Sequence, residues 1–257
     1  MKRNNFYFFR ILLPLFLLFC GVESTMAIIE VRVETAGTLS TLLTSTETTL
    51  KISGSINGTD IKYLRQLVNE GKVTDLDFSG VNIVSGGEAY FESYTTEEGV
   101  IGHSMFKECK NLKTIILPEN IGEIKANAFS GSGLRKIDIP NSVSVLGGDA
   151  FAYCGSLDTV IIGRRVASLG QGVFYASSVK FAYNKILNPP GTPAYLFSSR
   201  PKMQVYTESL DAYKQSSWTE YYGSIVGGLE ELYPLEPDPA DAVNNLREVY
   251  FEDAACT

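Results

Sequence analysis

The sequence predicts an α+β fold: a β-rich solenoid of 22–23-residue coils, closed at each end by a capping segment. Three observations predict it. Phenylalanines recur at Phe106, Phe129, Phe151, Phe174 and, more loosely, Phe197, spaced 23, 22, 23 and 23 residues apart. After each of the first three comes a short turn and an aliphatic trio: Leu112-Ile115-Leu117, Leu134-Ile137-Ile139 and Leu157-Val160-Ile162. A second aliphatic pair then closes the unit: Ile121 and Ile124, Val143 and Leu146, Val166 and Leu169. A fixed period in the low twenties means that one repeat makes one coil and that neighbouring coils stack.

Each part of the unit has a physical role. The last two residues of each trio alternate with period two, as a half-buried strand requires. The turns that follow, Pro118-Glu119-Asn120, Pro140-Asn141-Ser142 and Gly163-Arg164-Arg165, break the ladder and solvate the bend. The phenylalanines keep step with the aliphatics, so they form a buried spine rather than an exposed aromatic strip. The fourth repeat is weak, with Val179-Lys180-Phe181 in place of a clean trio. Cys109 and Cys154 each lie three residues after a spine phenylalanine, two coils apart, with Ser132 at the position between them. Strand stacking places their backbones about 9–10 Å apart. A disulfide needs Cα atoms within about 7 Å, so the two should be buried, unbridged thiols.

The ends of such an array expose apolar faces and strand edges and need covers. At the front, Thr59 or Asp60 is placed to cap a helix carrying Ile61, Leu64, Leu67 and Val68 on one face. At the back, Leu210, Tyr213, Lys214 and Trp218 suggest a short amphipathic helix over the last coil. The aromatic tract Tyr206 to Tyr222 reads as packing for that end in preference to a sugar platform. Beyond Gly227-Gly228, the run Leu235-Glu236-Pro237-Asp238-Pro239-Ala240-Asp241 has linker composition, and Ala242 to Phe251 suits at most a marginal helix. The organisation is therefore a leader (1–27), an N-terminal cap with first strand and insertion (28–100), repeats (101–200), a C-terminal cap (201–228) and an acidic, proline-containing tail (229–257).

The leader begins with Lys2, Arg3 and Arg10, and Ile11 to Val22 is an uncharged apolar run. That run is too short to span a bilayer and suits a secretory signal. Two endings compete: cleavage after Ala27, or a lipoprotein box at Leu17-Leu18-Phe19-Cys20 that would lipidate Cys20, although Phe19 stands where a small residue is expected. The protein is expected outside the cytoplasm, secreted or on the cell surface, and on a membrane only if Cys20 anchors it to the outer membrane. Without residues 1–27 the chain has 19 Lys+Arg against 28 Asp+Glu, a net charge of −9. An acidic chain without a basic block has no footprint for nucleic acid.

The units resemble the BspA-type leucine-rich repeat proteins of bacterial surfaces. The resemblance is carried by Phe106-Lys107-Glu108-Cys109-Lys110-Asn111-Leu112 and by Ile137-Asp138-Ile139-Pro140-Asn141-Ser142-Val143. It extends to Thr35-Ala36-Gly37-Thr38-Leu39, Leu50-Lys51-Ile52-Ser53-Gly54 and Val73-Thr74-Asp75-Leu76-Asp77-Phe78-Ser79-Gly80, which are similar to the N-terminal cap and first strand of Bacteroides-type members. Tyr183-Asn184, Pro190, Tyr206, Tyr213-Lys214 and Trp218 are similar to a closing segment, so the likeness covers about residues 30–227. Few full repeats and an insertion at 85–100 depart from the pattern. The resemblance implies surface display or secretion, binding of a protein or glycoconjugate, and adhesion in some members. It implies no enzyme, no cofactor and no transferable site residues.

The residues agree on chemistry. His103 is the only histidine, and no CxxC, GxSxG, P-loop or GxGxxG motif occurs past the leader. Neither a metal nor a cofactor is implied. What remains is a surface. Between the buried aliphatics, three outward columns are expected: Thr74, Lys113, Arg135, Asp158; Asp75, Thr114, Lys136, Thr159; and Asp77, Ile116, Asp138, Ile161. Lys113, Arg135 and Lys136 among acidic neighbours, with Ile116 and Ile161 as apolar footholds, make a candidate interaction face, against which stands an ordinary mixed-charge solvated sheet. Tyr90, Phe91 and Tyr94 in the insertion make a candidate interaction loop. Two rivals remain: a structural spacer in a cell-envelope assembly, and a hydrolase using Glu97 or Glu98.

Overall fold

The computed structural model describes residues 28–43 and 48–235. The leader with Cys20 and most of the acidic tail lie outside the described residues.

Strand β1 (Ile28–Val33), the single-turn helix α1 (Leu39–Leu42) and strand β2 (Thr49–Ile56) lead into helix α2 (Gly58–Asn69) and strand β3 (Asp75–Ile83). Ile61, Leu64, Leu67 and Val68 form the buried stripe of α2, as their spacing predicts. The cap is Asn57, earlier than Thr59 or Asp60. Asn57 accepts from the Thr59 N–H at 3.0 Å, and Asp60, at the third helical position, reaches back to the Asn57 N–H at 3.0 Å. That reciprocal pair is a capping box. Asp60 is the better placed for the second role because it also collects the N–H groups of Gly37 (2.5 Å) and Leu39 (2.9 Å), tying the loop before α1 to the helix.

After the antiparallel hairpin β4 (Gly86–Phe91) and β5 (Tyr94–Thr96) come β6 (Val100–Ile101), β7 (Thr114–Ile116), β8 (Glu123–Ile124), β9 (Lys136–Asp138), β10 (Val145–Leu146), β11 (Thr159–Ile162), β12 (Ser168–Leu169), β13 (Phe181–Asn184), β14 (Lys202–Val205), α3 (Leu210–Lys214) and β15 (Ser224–Val226). Among the described residues every other strand pairing is parallel. The orders are β1-β2-β3-β7, β9-β11-β13-β14-β15 and β6-β8-β10-β12. The first two continue one another, since the Arg135 N–H donates to the Lys113 carbonyl at 3.1 Å. Each aliphatic trio thus supplies a strand on one side and each closing pair a shorter strand on another, with the apolar core between them. Parallel register brings equivalent residues together, Leu76 beside Ile115 and Ile137 beside Val160.

The phenylalanine spine is the centre of that core. Phe106, Phe129, Phe151 and Phe174 are wholly buried. Successive ring centroids from Phe106 to Phe197 lie 5.5, 5.2, 5.5 and 4.9 Å apart, with planes within 14° of parallel. These are offset stacks, the arrangement the ring quadrupole favours. Phe78 meets Phe106 at 6.0 Å, and at the other end Tyr222 packs on Phe197 at 5.2 Å and on Trp218 at 5.8 Å. Tyr213 and Trp218 are buried, with Trp218 Nε1 donating to the Pro190 carbonyl at 2.7 Å and the Tyr213 hydroxyl to Ile186 at 3.1 Å. The aromatic tract fills the end of the core.

A second ladder runs beside the spine, and its pattern explains the unusual backbone there. In each coil the N–H groups two before, at and two after the phenylalanine point to the next coil. Asn127, Phe129 and Gly131 donate to Gly148, Ala150 and Ala152; Asp149, Phe151 and Tyr153 donate to Gln171, Val173 and Tyr175. The flanking positions take left-handed φ: 54° and 59° at Ser104 and Glu108, 58° and 70° at Asn127 and Gly131, 54° and 59° at Asp149 and Tyr153. In the first coil the corresponding acceptors, the carbonyls of His103, Met105 and Lys107, have no coil before them. The Tyr90 hydroxyl donates to His103 at 2.9 Å, and Arg65 donates to Met105 at 2.8 Å and Lys107 at 3.2 Å. Three side-chain donors stand in for the missing backbone.

Cys109 and Cys154 are free and buried. The Cys154 thiol donates to the Phe129 carbonyl at 3.1 Å, and Ser177, at the same place one coil on, donates to Phe151 at 2.6 Å. The column is a hydrogen-bonding one, which suits both small residue types. The fourth repeat is more regular than its sequence suggests. Its inward residues are Val179, Ala182 and Asn184, in register with Val160 and Ile162, while Phe181 faces outward. Asn184 is fully buried and accepts from the Ile186 N–H at 3.1 Å.

Burial pushes the Cys109 thiol up from 9.0 to about 11 and raises the Tyr90, Tyr213 and Tyr222 hydroxyls as well. The folded chain therefore keeps a proton that the unfolded chain releases above pH 9. This contribution to stability is fully present below pH 9 and is lost as pH rises from there, by about 2–3 kcal/mol at pH 11 for Cys109 alone. Urea midpoints between pH 7 and 11 check this, and Cys109→Ser should flatten the slope.

Candidate interaction surface on the strand face

The middle outward column forms on the trio strands with the expected register: Asp75, Thr114 on β3 and β7, Lys136, Thr159 on β9 and β11, then Phe181 and Lys202. Thr74, expected outward at the head of the first column, is buried. Lys113, Arg135 and Lys136 are exposed, and Asp158 is half-buried with its carboxylate accepting from Thr159 Oγ1 at 2.8 Å. Ile116 is 54% exposed and Asp138 is exposed beside it. Between β7 and β9 the face dips into a groove of about 390 Å³, lined by Thr114, Ile116, Glu119, Lys136, Asp138 and Lys185 among others.

Ile161 is not a foothold, for it is fully buried. Lys185, just past β13, reaches across β11 to within 3.5 Å of the Asp138 carboxylate on β9. Its stem therefore roofs the strand that carries Ile161. The C-terminal segment adds a second cover. Leu229 is buried, the Tyr233 ring lies 6.3 Å from Tyr183, and Lys185 Nζ sits 4.8 Å over the Tyr233 ring. Residues 229–235, assigned from composition to the tail, belong to the folded body. They divide the strand face, leaving the Ile116 end open. Phe181, 42% exposed beside Thr159, is an apolar contact residue within the stretch that the sequence reads only as a weak trio. Counting 22 residues on from Val160 and Ile162 would have put Ala182 and Asn184 inward and Phe181 out.

The insertion is a hairpin packed on the front of the repeats. Tyr90 is turned inward to the His103 carbonyl and is only 5% exposed, so it presents no ring to a partner. Phe91 lies under the Arg65 guanidinium at 4.7 Å and near Lys107 Nζ at 5.8 Å. Tyr94 alone of the three is exposed, stacked on His103 with centroids 5.4 Å apart. Glu97 is held by Lys125 at 2.6 Å, and Ser85 Oγ accepts from the Glu98 N–H. Among the described residues no three His, Cys, Asp or Glu side chains are grouped to hold a metal ion.

Fold and face together define a strand-rich, mostly parallel repeat protein. Residues 88–188 match the family model of the BspA type leucine rich repeat region, in six copies. This chain carries a BspA-type repeat region. Three solved structures are similar. A leucine-rich repeat protein from Bacteroides ovatus aligns over 70% of this chain and 39% of its own, at 21% identity and a TM-score of 0.35. The T. pallidum leucine-rich repeat protein aligns over 61% and 74%, at 22% identity and 0.35. A leucine rich cell surface protein from Faecalibacterium prausnitzii aligns over 70% and 74%, at 16% identity and 0.26. The chain spans well under half the length of the B. ovatus protein. No curated protein matches it.

Proposed function

We propose that this chain is a non-catalytic binding module, secreted or displayed on the cell surface, that holds a protein ligand on the open end of its strand face and serves adhesion. Its body is a leucine-rich-repeat solenoid, with residues 28–100 covering the first coil and 201–235 the last. The repeat region supports a protein-binding or surface role, but a fold assigns no ligand. The observation that carries the reading is the groove at Ile116, where an exposed aliphatic residue and a concave floor adjoin the exposed cations Lys113, Arg135 and Lys136. An apolar anchor inside a charged rim is the anatomy of a protein interface.

The test is binding of the purified protein to immobilised extracellular matrix proteins and mucins. Changing Lys113, Arg135 and Lys136 to Glu should weaken saturable binding at least tenfold, and rising salt should weaken the wild type in the same direction. A triple variant that is folded and binds as well as wild type rejects the strand face as the site.

A further inference from the structure

A second groove lies on the turn side of the coils, away from the strand face. It has a volume of about 510 Å³ and is lined by Asn127, Asp149, Gln171, Tyr153, Tyr175 and Tyr195 with neighbouring small residues. Tyr153 and Tyr195 are the most exposed aromatics among the described residues, at 59% and 61%. Tyr175 stands between them, 5.8 Å from Tyr153 at 89° and 6.0 Å from Tyr195 at 73°.

Repeat packing does not ask for these rings. They come from three different places in the unit: two after the spine phenylalanine (Tyr153), one after it (Tyr175) and two before it (Tyr195). The equivalents in other coils are Glu108, Gly131 and Ala176; Lys107, Ser130 and Ala152; Ser104, Asn127, Asp149 and Gly172. Tyr153 and Tyr195 moreover hold left-handed backbone, φ 59° and 60°, which Gly131 and Gly172 supply one coil away. A bulky side chain there is a cost that packing does not repay.

The floor is opened by Gly172, where a Cβ would run into the Asp149 carboxylate. Among the described residues Asn127, Asp149 and Gln171 find no side-chain hydrogen-bond partner, so amide donors and carboxylate and amide acceptors line the groove unused. No Lys or Arg lines it, which disfavours phosphate, sulfate and uronate groups. Its backbone is closed to strand addition, because Asp149, Tyr153 and Gly172 already donate to Gln171, Tyr175 and Ala194. Exposed ring faces with electron-rich centres, beside uncommitted hydroxyl-binding groups and without a cation, match a ligand whose rings carry electropositive C–H faces and equatorial hydroxyls.

We propose that this groove is a binding site for a neutral oligosaccharide. Tyr153 and Tyr195 stack on sugar rings, and Asp149, Asn127 and Gln171 take the hydroxyls. The site is independent of the strand face, so either assignment can fail alone.

The experiment is calorimetric titration of the purified protein with cellohexaose, laminarihexaose, mannohexaose and chitohexaose, and with a decaproline peptide. At least one saccharide should bind saturably, with little dependence on salt. Tyr153→Ala with Tyr195→Ala should weaken it at least tenfold, and Asp149→Asn several-fold. The strand-face triple variant should bind sugar as wild type does. Tyr153→Gly with Tyr195→Gly relieves the backbone, so this pair should lose binding while melting no lower than wild type, which separates recognition from folding. Absence of saccharide binding, binding untouched by either tyrosine pair, or capture of decaproline instead would each overturn the proposal.

Discussion

Phe129→Ala is expected to destabilise the protein by about 5 kcal/mol, at the upper end for a buried phenylalanine, and to lower its melting temperature by about 10–20 °C. The ring is wholly buried and stacks on two others, Phe106 at 5.5 Å and Phe151 at 5.2 Å. Truncation removes the transferred area, leaves a cavity and forfeits both stacks, each worth about 0.5–1.5 kcal/mol beyond burial. The neighbours are poorly able to close the gap, because their spacing is set by the backbone bonds on either side: Phe106 N–H to Ala128 and Phe129 N–H to Ala150. In a stacked array each unit touches only its neighbours, so the loss falls on one junction and should split the transition into front and rear halves. Phe197→Ala removes a ring at the end of the phenylalanine run, stacked on Phe174 alone and met edge-on by Tyr222, and should cost less. Equal costs at the two positions, or less than 1 kcal/mol at Phe129, would show that the spine does not organise the core.

How legible this was depends on whether a residue obeys the repeat. The spine, the trio strands and the unbridged cysteines follow from spacing, because parallel stacking turns a sequence period directly into contact. Ile161 obeys the same period and was misplaced, since its burial comes from Lys185 and the 229–235 segment, 24 and about 70 residues away, which no local pattern links to it. The fourth repeat looked weak for the opposite reason: a buried asparagine and alanine disguised the register of its strand and the outward place of Phe181. The tyrosine groove was invisible because its three rings occupy three different positions in the unit and meet only in space. On this molecule the period reports what holds the coils together, and the departures from it lie where a ligand could be told from solvent.

Arg65→Ala is expected to cost about 3–4 kcal/mol, an effect that neither composition nor helix pattern foretells. Arg65 sits on α2, is 7% exposed, and has no carboxylate partner among the described residues. Its guanidinium donates to the Ser104, Met105 and Lys107 carbonyls and lies against the Phe91 face. Two of those carbonyls, Met105 and Lys107, are acceptors that the next three coils satisfy with the coil before them, and the third in the set, His103, takes the Tyr90 hydroxyl. Removing the guanidinium leaves buried acceptors unpaired and cuts the tie between α2 and the first coil. Arg65→Lys keeps the charge but not the planar fork, so it should recover only part of the loss. Tyr90→Phe strands one carbonyl and should cost about 1–3 kcal/mol. Because Arg65 and Tyr90 serve one edge, the double variant should cost less than the two singles combined, once that edge has already opened. Hydrogen exchange on α2 gives the direct readout: its amides should lose protection in Arg65→Ala while those of β11 keep theirs. If α2 stays protected and the cost is under 1 kcal/mol, the front edge is held by apolar packing alone.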